Sequence, residues 1–113
     1  MTLEYVTGAE TINVFDAIIV HILNTGELTG SARLIVFENA GGGAAVFADT
    51  GDLTIAPTFA QGIGVSALTN GTYWLRIYLS SNELVPNASF IRQGAPFSSY
   101  SPGDFAVFER TRR

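Results

Sequence analysis

Hydrophobic and polar positions alternate with a period of two along most of this chain, and the alternation is cleanest in T-Y-W-L-R-I-Y-L-S-S, Thr72–Ser81. Successive side chains of a strand point to opposite faces, so Tyr73, Leu75, Ile77 and Leu79 form one apolar row, while Trp74, Arg76 and Tyr78 form the other. The first row reads as core and the segment as a central strand. The second places a guanidinium between two aromatic rings, which suits stacking and a covered or binding surface better than open water.

The same pattern predicts short strands at Thr2–Val6, Thr11–Phe15, Asp16–Asn24, Ser31–Glu38, Ala44–Ala48, Leu53–Ala56, Thr58–Leu68, Ala88–Gln93 and Phe105–Glu109. In D-A-I-I-V-H-I-L-N, Ile18, Val20 and Ile22 fall on one face and Ile19, His21 and Leu23 on the other, which implies a strand covered on both sides. Gly62 and Gly64 suggest a bulge or a close backbone approach. Asn39–Gly43 reads as a hairpin loop or a flexible tip, Asp49–Asp52 as a turn, and Asn70-Gly71 as the turn into the central strand. Pro86 is expected at a corner outside any central ladder. Gly94–Gly103, with two prolines and no periodicity, is expected to be a loop presenting Phe97 and Tyr100. No helix has comparable support. The prediction is one all-β domain over residues 1–113: a two-sheet antiparallel sandwich, immunoglobulin-like or jelly-roll-like, with a small barrel as the alternative.

Composition sharpens this picture in two ways. Charged residues are only 14% of the chain against 47% hydrophobic, about half the charged share usual for soluble domains. Part of the surface is therefore expected to be uncharged polar, and part to be buried against other subunits. A net charge of −4 argues against duplex nucleic acid, which demands a positive surface. Arg110, Arg112 and Arg113 cluster at the C-terminus, where a solvated chain end is the expectation. No run approaches the roughly 18–20 apolar residues of a membrane-spanning helix. The opening M-T-L-E-Y-V-T has neither a basic start nor a long apolar run, so no signal peptide is expected and a cytoplasmic location is the default.

Candidate chemistry is sparse. There is no cysteine, which removes thiolate nucleophiles and cysteine-based zinc sites. His21 is the single histidine and lies within the most apolar strand, so it reads as a packed or interface residue rather than a catalytic base. Asp49 and Asp52 lack the ligand spacing of a calcium loop and read as turn residues serving their own backbone. Gly41–Gly43 is followed by no Lys-Ser or Lys-Thr and no helix start, so a phosphate cradle is not expected. No carboxylate pair suggests acid-base work. Neither cofactor nor metal is expected, and an enzyme is disfavoured. The best candidates are Trp74, Arg76 and Tyr78, with Arg76 expected to pair with Glu27, Glu38 or Glu83 if the face is covered.

Two blocks resemble the small soluble sensory rhodopsin transducer family and its bacterial relatives: I-L-N-T-G, Ile22–Gly26, with the strand Ala32–Phe37 after it, and W-L-R-I-Y-L-S-S-N-E-L-V-P, Trp74–Pro86. The resemblance implies β-sandwich protomers that assemble as homotetramers and serve as adaptors for a membrane photoreceptor. Where that family continues with a polar strand containing Gln, His, Thr and Arg, this chain has A-S-F-I-R-Q and matches at Arg92. The expected function is a homo-oligomeric, non-enzymatic structural or adaptor module that binds protein. The alternative is a carbohydrate or small-ligand module using Trp74, Arg76 and Tyr78 with Phe97 and Tyr100.

Overall fold

The apolar row of the central strand closes against a second sheet. The computed structural model describes residues 2–40 and 43–110. The chain there forms β1 (Thr2–Val6), β2 (Glu10–Ile12), β3 (Ala17–Asn24), β4 (Gly30–Ala40), β5 (Gly43–Asp49), β6 (Leu53–Ile55), β7 (Ala60–Val65), β8 (Gly71–Leu79), β9 (Leu84–Arg92), β10 (Ala95–Tyr100) and β11 (Ala106–Arg110). Gly41 and Gly42 of the expected hairpin loop, and Arg112 and Arg113, lie outside the described residues. In the seven-stranded sheet β8 is central. It bonds β4 on one side and β1 and β2 on the other, with β11 beyond β1, while β5 and β6 share the far side of β4. The four-stranded sheet runs β10-β9-β3-β7. All pairings are antiparallel, and the two sheets form an open sandwich, not a closed barrel.

Between the sheets lies one core. Tyr73, Leu75, Ile77 and Leu79 of β8 and Ala32, Leu34 and Val36 of β4 are buried with Ile18, Val20 and Ile22 of β3 and Ala88 and Phe90 of β9. Tyr73 brings a hydroxyl into this core, and that hydroxyl is satisfied by the Thr69 N–H at 3.3 Å and the Thr69 hydroxyl at 3.1 Å. Asn24 is the other polar hub. Its buried amide donates to the carbonyls of Leu28 (2.9 Å) and Ile55 (3.0 Å) and accepts from the Gly26 N–H (2.9 Å), tying the end of β3 to β6 in the opposite sheet.

Both flanks of the β4–β8 pair are broken, and both breaks are repaired by a Thr-Gly dipeptide. Thr7, between β1 and β2, donates its N–H to Leu75 O (3.1 Å) and accepts the Leu75 N–H on its hydroxyl (3.0 Å), while that hydroxyl donates to Gly8 O (2.9 Å). Thr50, between β5 and β6, does the same to Leu34, at 3.0 and 3.0 Å, and donates to Gly51 O (2.7 Å). In each case a side-chain oxygen replaces the carbonyl that an unbroken strand would offer, so the buried ladders of β4 and β8 stay satisfied.

Four local expectations change. Gly94–Gly103 is not a loop throughout: Gln93 and Gly94, both at positive φ (54° and 81°), make a two-residue hairpin turn, and β10 follows. Pro96 is accommodated because β10 is an edge strand with a register shift between Pro96 and Ser98. Pro86 lies inside β9 opposite Ile22, beyond the stretch that β10 pairs, so its missing N–H leaves no ladder partner stranded on that side. Gly62 and Gly64 keep regular register with His21 and Ile19, without a bulge. The strand of Ile19, His21 and Leu23 is covered on one side only: Ile19 is half-buried, and His21 and Leu23 are exposed on the outer face of the smaller sheet.

Replacing Thr7 or Thr50 by Val keeps shape and removes the hydroxyl, leaving a buried N–H of Leu75 or Leu34 unpaired. Each change is expected to cost about 1–3 kcal/mol in urea unfolding, and the two costs should add because they act on opposite flanks. A loss below about 0.5 kcal/mol would mean that water restores the bond.

Candidate binding face

Trp74, Arg76 and Tyr78 project from β8 onto the outer face of the larger sheet, because the odd-numbered residues of β8 are committed to the core. Antiparallel register then supplies their neighbours: Phe37 lies opposite Trp74, Ile35 and Val6 opposite Arg76, and Arg33 and Glu4 opposite Tyr78. The Phe37 and Trp74 rings stack at 4.2 Å between centroids and 16° between planes. The Arg76 guanidinium lies over both, 5.6 Å from the Phe37 centroid and 5.5 Å from that of Trp74. The indole N–H of Trp74 donates to Asn39 Oδ1 at 3.3 Å.

The acid nearest Arg76 is Glu4, with Oε1 4.0 Å from Nε, and not Glu27, Glu38 or Glu83 as expected from the sequence. Strand order decides this, since β1 and not a loop lies beside that edge of β8. Glu4 and Ile35 both face outward and yet are buried. The outer face of the sheet thus has a small covered layer of its own, with the Arg76 guanidinium over the stacked Phe37 and Trp74 rings. Arg76 donates from Nη1 to the Tyr78 hydroxyl at 3.5 Å, its Nε is buried without a hydrogen-bond partner, and its side chain is 34% exposed. Charge, stacking area and partial exposure coincide here. A flat apolar group or a carboxylate is the ligand chemistry this surface suits.

The margins of the face are more polar. Arg33 grips Asp49 through two bonds, Nε to Oδ1 at 3.0 Å and Nη2 to Oδ2 at 2.6 Å, and that pairing with the Gly51 N–H lowers the Asp49 carboxyl to about 2. Asp49 serves its own turn as the sequence suggests. A shallow cavity of about 280 Å³ opens beside it, with Ser31, Arg33, Asp52, Tyr78 and Ser80 in its wall. Among the described residues no group of His, Asp and Glu side chains is placed to hold a metal ion.

The remaining sequence candidates are elsewhere. Phe97 belongs to β10, where the Arg92 guanidinium sits 4.2 Å from its ring centroid. Tyr100 ends β10 and donates to Glu10 Oε2 while accepting the Gly8 N–H at 3.2 Å; burial and the Glu10 carboxylate push its hydroxyl up to about 12. His21 is on the outer face of the four-stranded sheet. The aromatic site of five residues is therefore not assembled in one protomer. Sequence reasoning missed Phe37, Ile35 and Glu4. The alternation of S-A-R-L-I-V-F-E turns Ile35 and Phe37 away from Leu34, but only strand pairing sets them against Arg76 and Trp74. It also missed the pair of Asp16 and Arg92, 76 positions apart, which joins β9 to the segment before β3 with Arg92 Nη2 2.9 Å from Asp16 Oδ2.

No protein-family model and no curated protein matches this chain. Among solved structures, the crystal structure of Thermotoga maritima 1070 superposes with a TM-score of 0.59 over 93% of this chain and 87% of that chain, at 11% identity. At that identity the likeness shows a shared β-sandwich fold. Among the described residues no helix is long and apolar enough to cross a membrane.

Asp16 supplies a pH test. Its hydrogen bonds from Arg92 lower its carboxyl below the ordinary 3.8, against the opposing effect of burial. A lowered folded value stabilises the fold at pH above the unfolded value, and the contribution is lost as the pH falls through the folded one. Stability of the wild-type chain should therefore fall with acid below about pH 4, and Asp16→Asn should flatten that limb while lowering stability at pH 7. Parallel acid limbs in the two proteins would remove Asp16 from the account.

Proposed function

We propose that this chain is a non-enzymatic, homo-oligomeric β-sandwich with a structural or adaptor role, and that the outer face of the larger sheet is its protein-binding surface. The observation that carries this reading is the platform of Phe37, Trp74 and Arg76. Its rings are stacked and its cation is held from within the protomer, so the surface is ordered before any partner arrives and loses little side-chain freedom on contact. Enrichment in Trp, Phe, Tyr and Arg is also what the energetically dominant centres of protein interfaces share. The low charged share of the chain supports the same reading, because an uncharged apolar surface is stabilised by cover. The two blocks that resemble the transducer family favour an adaptor, and a cytoplasmic location belongs to the same proposal.

A second reading, a module for carbohydrate or small carboxylate ligands, is favoured by one feature. The Arg76 side chain is 34% exposed beside an aromatic surface, so its outer nitrogens are within reach of a ligand even though Nε is covered.

The two readings differ in what covers Trp74, the single tryptophan. In the first, light scattering on a sizing column gives a multiple of 12.1 kDa that survives high salt, acrylamide quenches the tryptophan weakly, and Trp74→Ala lowers the mass toward the protomer. Strong quenching in an intact assembly, or an assembly unchanged by Trp74→Ala, would remove this face from the interface. Saturable quenching by a glycan or a small carboxylate would then favour the ligand reading.

A further inference from the structure

The four-stranded sheet ends on one side in a strand that nothing guards. Among the described residues β7 bonds β3 alone, so its other edge is open. An open row of backbone donors and acceptors is a template for another strand, and proteins ordinarily blunt it with charge, proline, a bulge or shortness. The other edges here are blunted. β10 carries Pro96 and a register shift, β5 a register shift opposite Val36 and Phe37 with Asp49 at its end, β11 Glu109, and β2 and β6 are three residues long. β7, A-Q-G-I-G-V, has six residues, no charge, no proline and unbroken register.

Register decides which backbone groups face out. Asn24 N–H donates to Phe59 O (2.9 Å), and bonded and non-bonded positions alternate in an antiparallel pair. Gln61, Ile63 and Val65 therefore bond β3, while Ala60, Gly62 and Gly64 turn their N–H and C=O to the open side. Gln61 Nε2 reaches Gly62 O at 3.1 Å, as an outward carbonyl allows. The outward-bonding residues have the smallest side chains, and all three are exposed. Nothing within the protomer requires the two glycines. Neither has a positive φ; a Cβ on Gly64 would meet nothing within 4 Å, and one on Gly62 would make ordinary contact with His21 at 3.6 Å. Glycine weakens a strand entropically, and without a bulge or left-handed backbone what it serves is the close approach of another chain.

The same residues select the occupant. A foreign strand added to a sheet edge is recognised through pockets for its alternate side chains, and the open space at Gly64 offers none. A second β7 needs no pocket. Placed antiparallel about a two-fold axis, with Ile63 opposite the partner's Ile63, it sets Gly62 against the partner's Gly64 as a hydrogen-bonded pair and Gln61 against the partner's Val65. Ile63 and Val65, half-buried against the core of their own protomer, then continue that core across the axis. No charged residue lies on β7, so two chains of net charge −4 approach there without opposing like charges.

We infer that β7 is the edge at which a second copy of this chain joins, so that two four-stranded sheets become one continuous sheet. This contact lies on the sheet opposite the Trp74 face and does not rest on that face.

The test is amide exchange by NMR on the full chain, read beside sedimentation velocity over a concentration series. The amides of Gln61, Ile63 and Val65 should be protected at every concentration, and those of Ala60, Gly62 and Gly64 should gain at least about tenfold protection as the dimer forms. Gly62→Pro removes an outward donor from each protomer and no bond within one, so it should weaken association at least about tenfold with an unchanged circular dichroism spectrum. A second pair of variants does not depend on how the backbone takes proline. Gly62→Lys with Gly64→Lys, and Gly62→Glu with Gly64→Glu, should each abolish self-association, and the two chains mixed should associate with each other. The inference is overturned if the wild-type chain stays monomeric to millimolar concentration, if the outward amides exchange equally in monomer and assembly, if folded Gly62→Pro associates as the wild type does, or if the mixture gives no recovery. Assembly abolished by Trp74→Ala and untouched by both sets of glycine variants would remove the edge contact and leave the sheet face; the reverse result would leave the edge and remove the face. Protection of the outward amides in a monomeric chain by an extended Thr-Val repeat peptide, with none from rising chain concentration, would replace the second copy by a foreign strand.

Discussion

Everything in this molecule is arranged about the pairing of β4 with β8. Their register runs unbroken from Ala32 opposite Leu79 to Asn39 opposite Thr72, and each strand is bonded on its other side as well. A strand in that position must have every N–H and C=O satisfied, because water does not reach them. The flanks of the pair are not continuous strands, however. Thr7 and Thr50 fill the gaps with hydroxyl oxygens, and the geometry at the two is nearly the same. Once the pair is complete, its two faces have fixed and different fates: the row of Leu34, Val36, Leu75 and Ile77 is core, and the row of Ile35, Phe37, Trp74 and Arg76 is surface.

That surface behaves in part like an interior. Ile35 and Glu4 point outward and are buried, and the stacked pair of Phe37 and Trp74 orders itself without help from a partner. Such an aromatic pair adds roughly 0.5–1.5 kcal/mol beyond its area, and a nearby cation adds a similar amount where it is desolvated. The protomer holds Arg76 near Glu4 and the Tyr78 hydroxyl, so cover by a partner would exclude water from a cation that already has neighbours. The Asn13–Asp16 turn is built on the opposite plan. There the hydrogen bonds hold the backbone, and the Phe15 side chain is left outside.

The alternation of residues in Thr72–Ser81 was sufficient to identify the central strand and its buried row, since a period of two leaves one assignment of faces once either face is apolar. The two-sheet class, the strands at Ser31–Glu38 and Leu53–Ala56, and the backbone role of Asp49 were legible for the same local reasons. The strand at Ala95–Tyr100 was not. Pro96 and a register shift after it erase its periodicity, and its hairpin depends on Gln93 adopting the positive φ usually left to Asn or Gly. The expected strand Thr11–Phe15 ends at Ile12, because Asp16 turns back to bond the Asn13 N–H.

Local pattern therefore determined most of the strands, which side chains of each share a face, and that the chain is an all-β domain with little charge. It could not determine partners across strands, because antiparallel register is set by turns and breaks far apart in the chain: Phe37 finds Trp74 and Arg92 finds Asp16 only after strand order is decided. Only the tertiary structure separated Phe97 and Tyr100 from the face of Trp74, exposed His21 on the smaller sheet, and set β7 at the edge of that sheet. The physical reason is the same in each case. Side-chain direction is a property of a few bonds, whereas adjacency is a property of the whole packed chain.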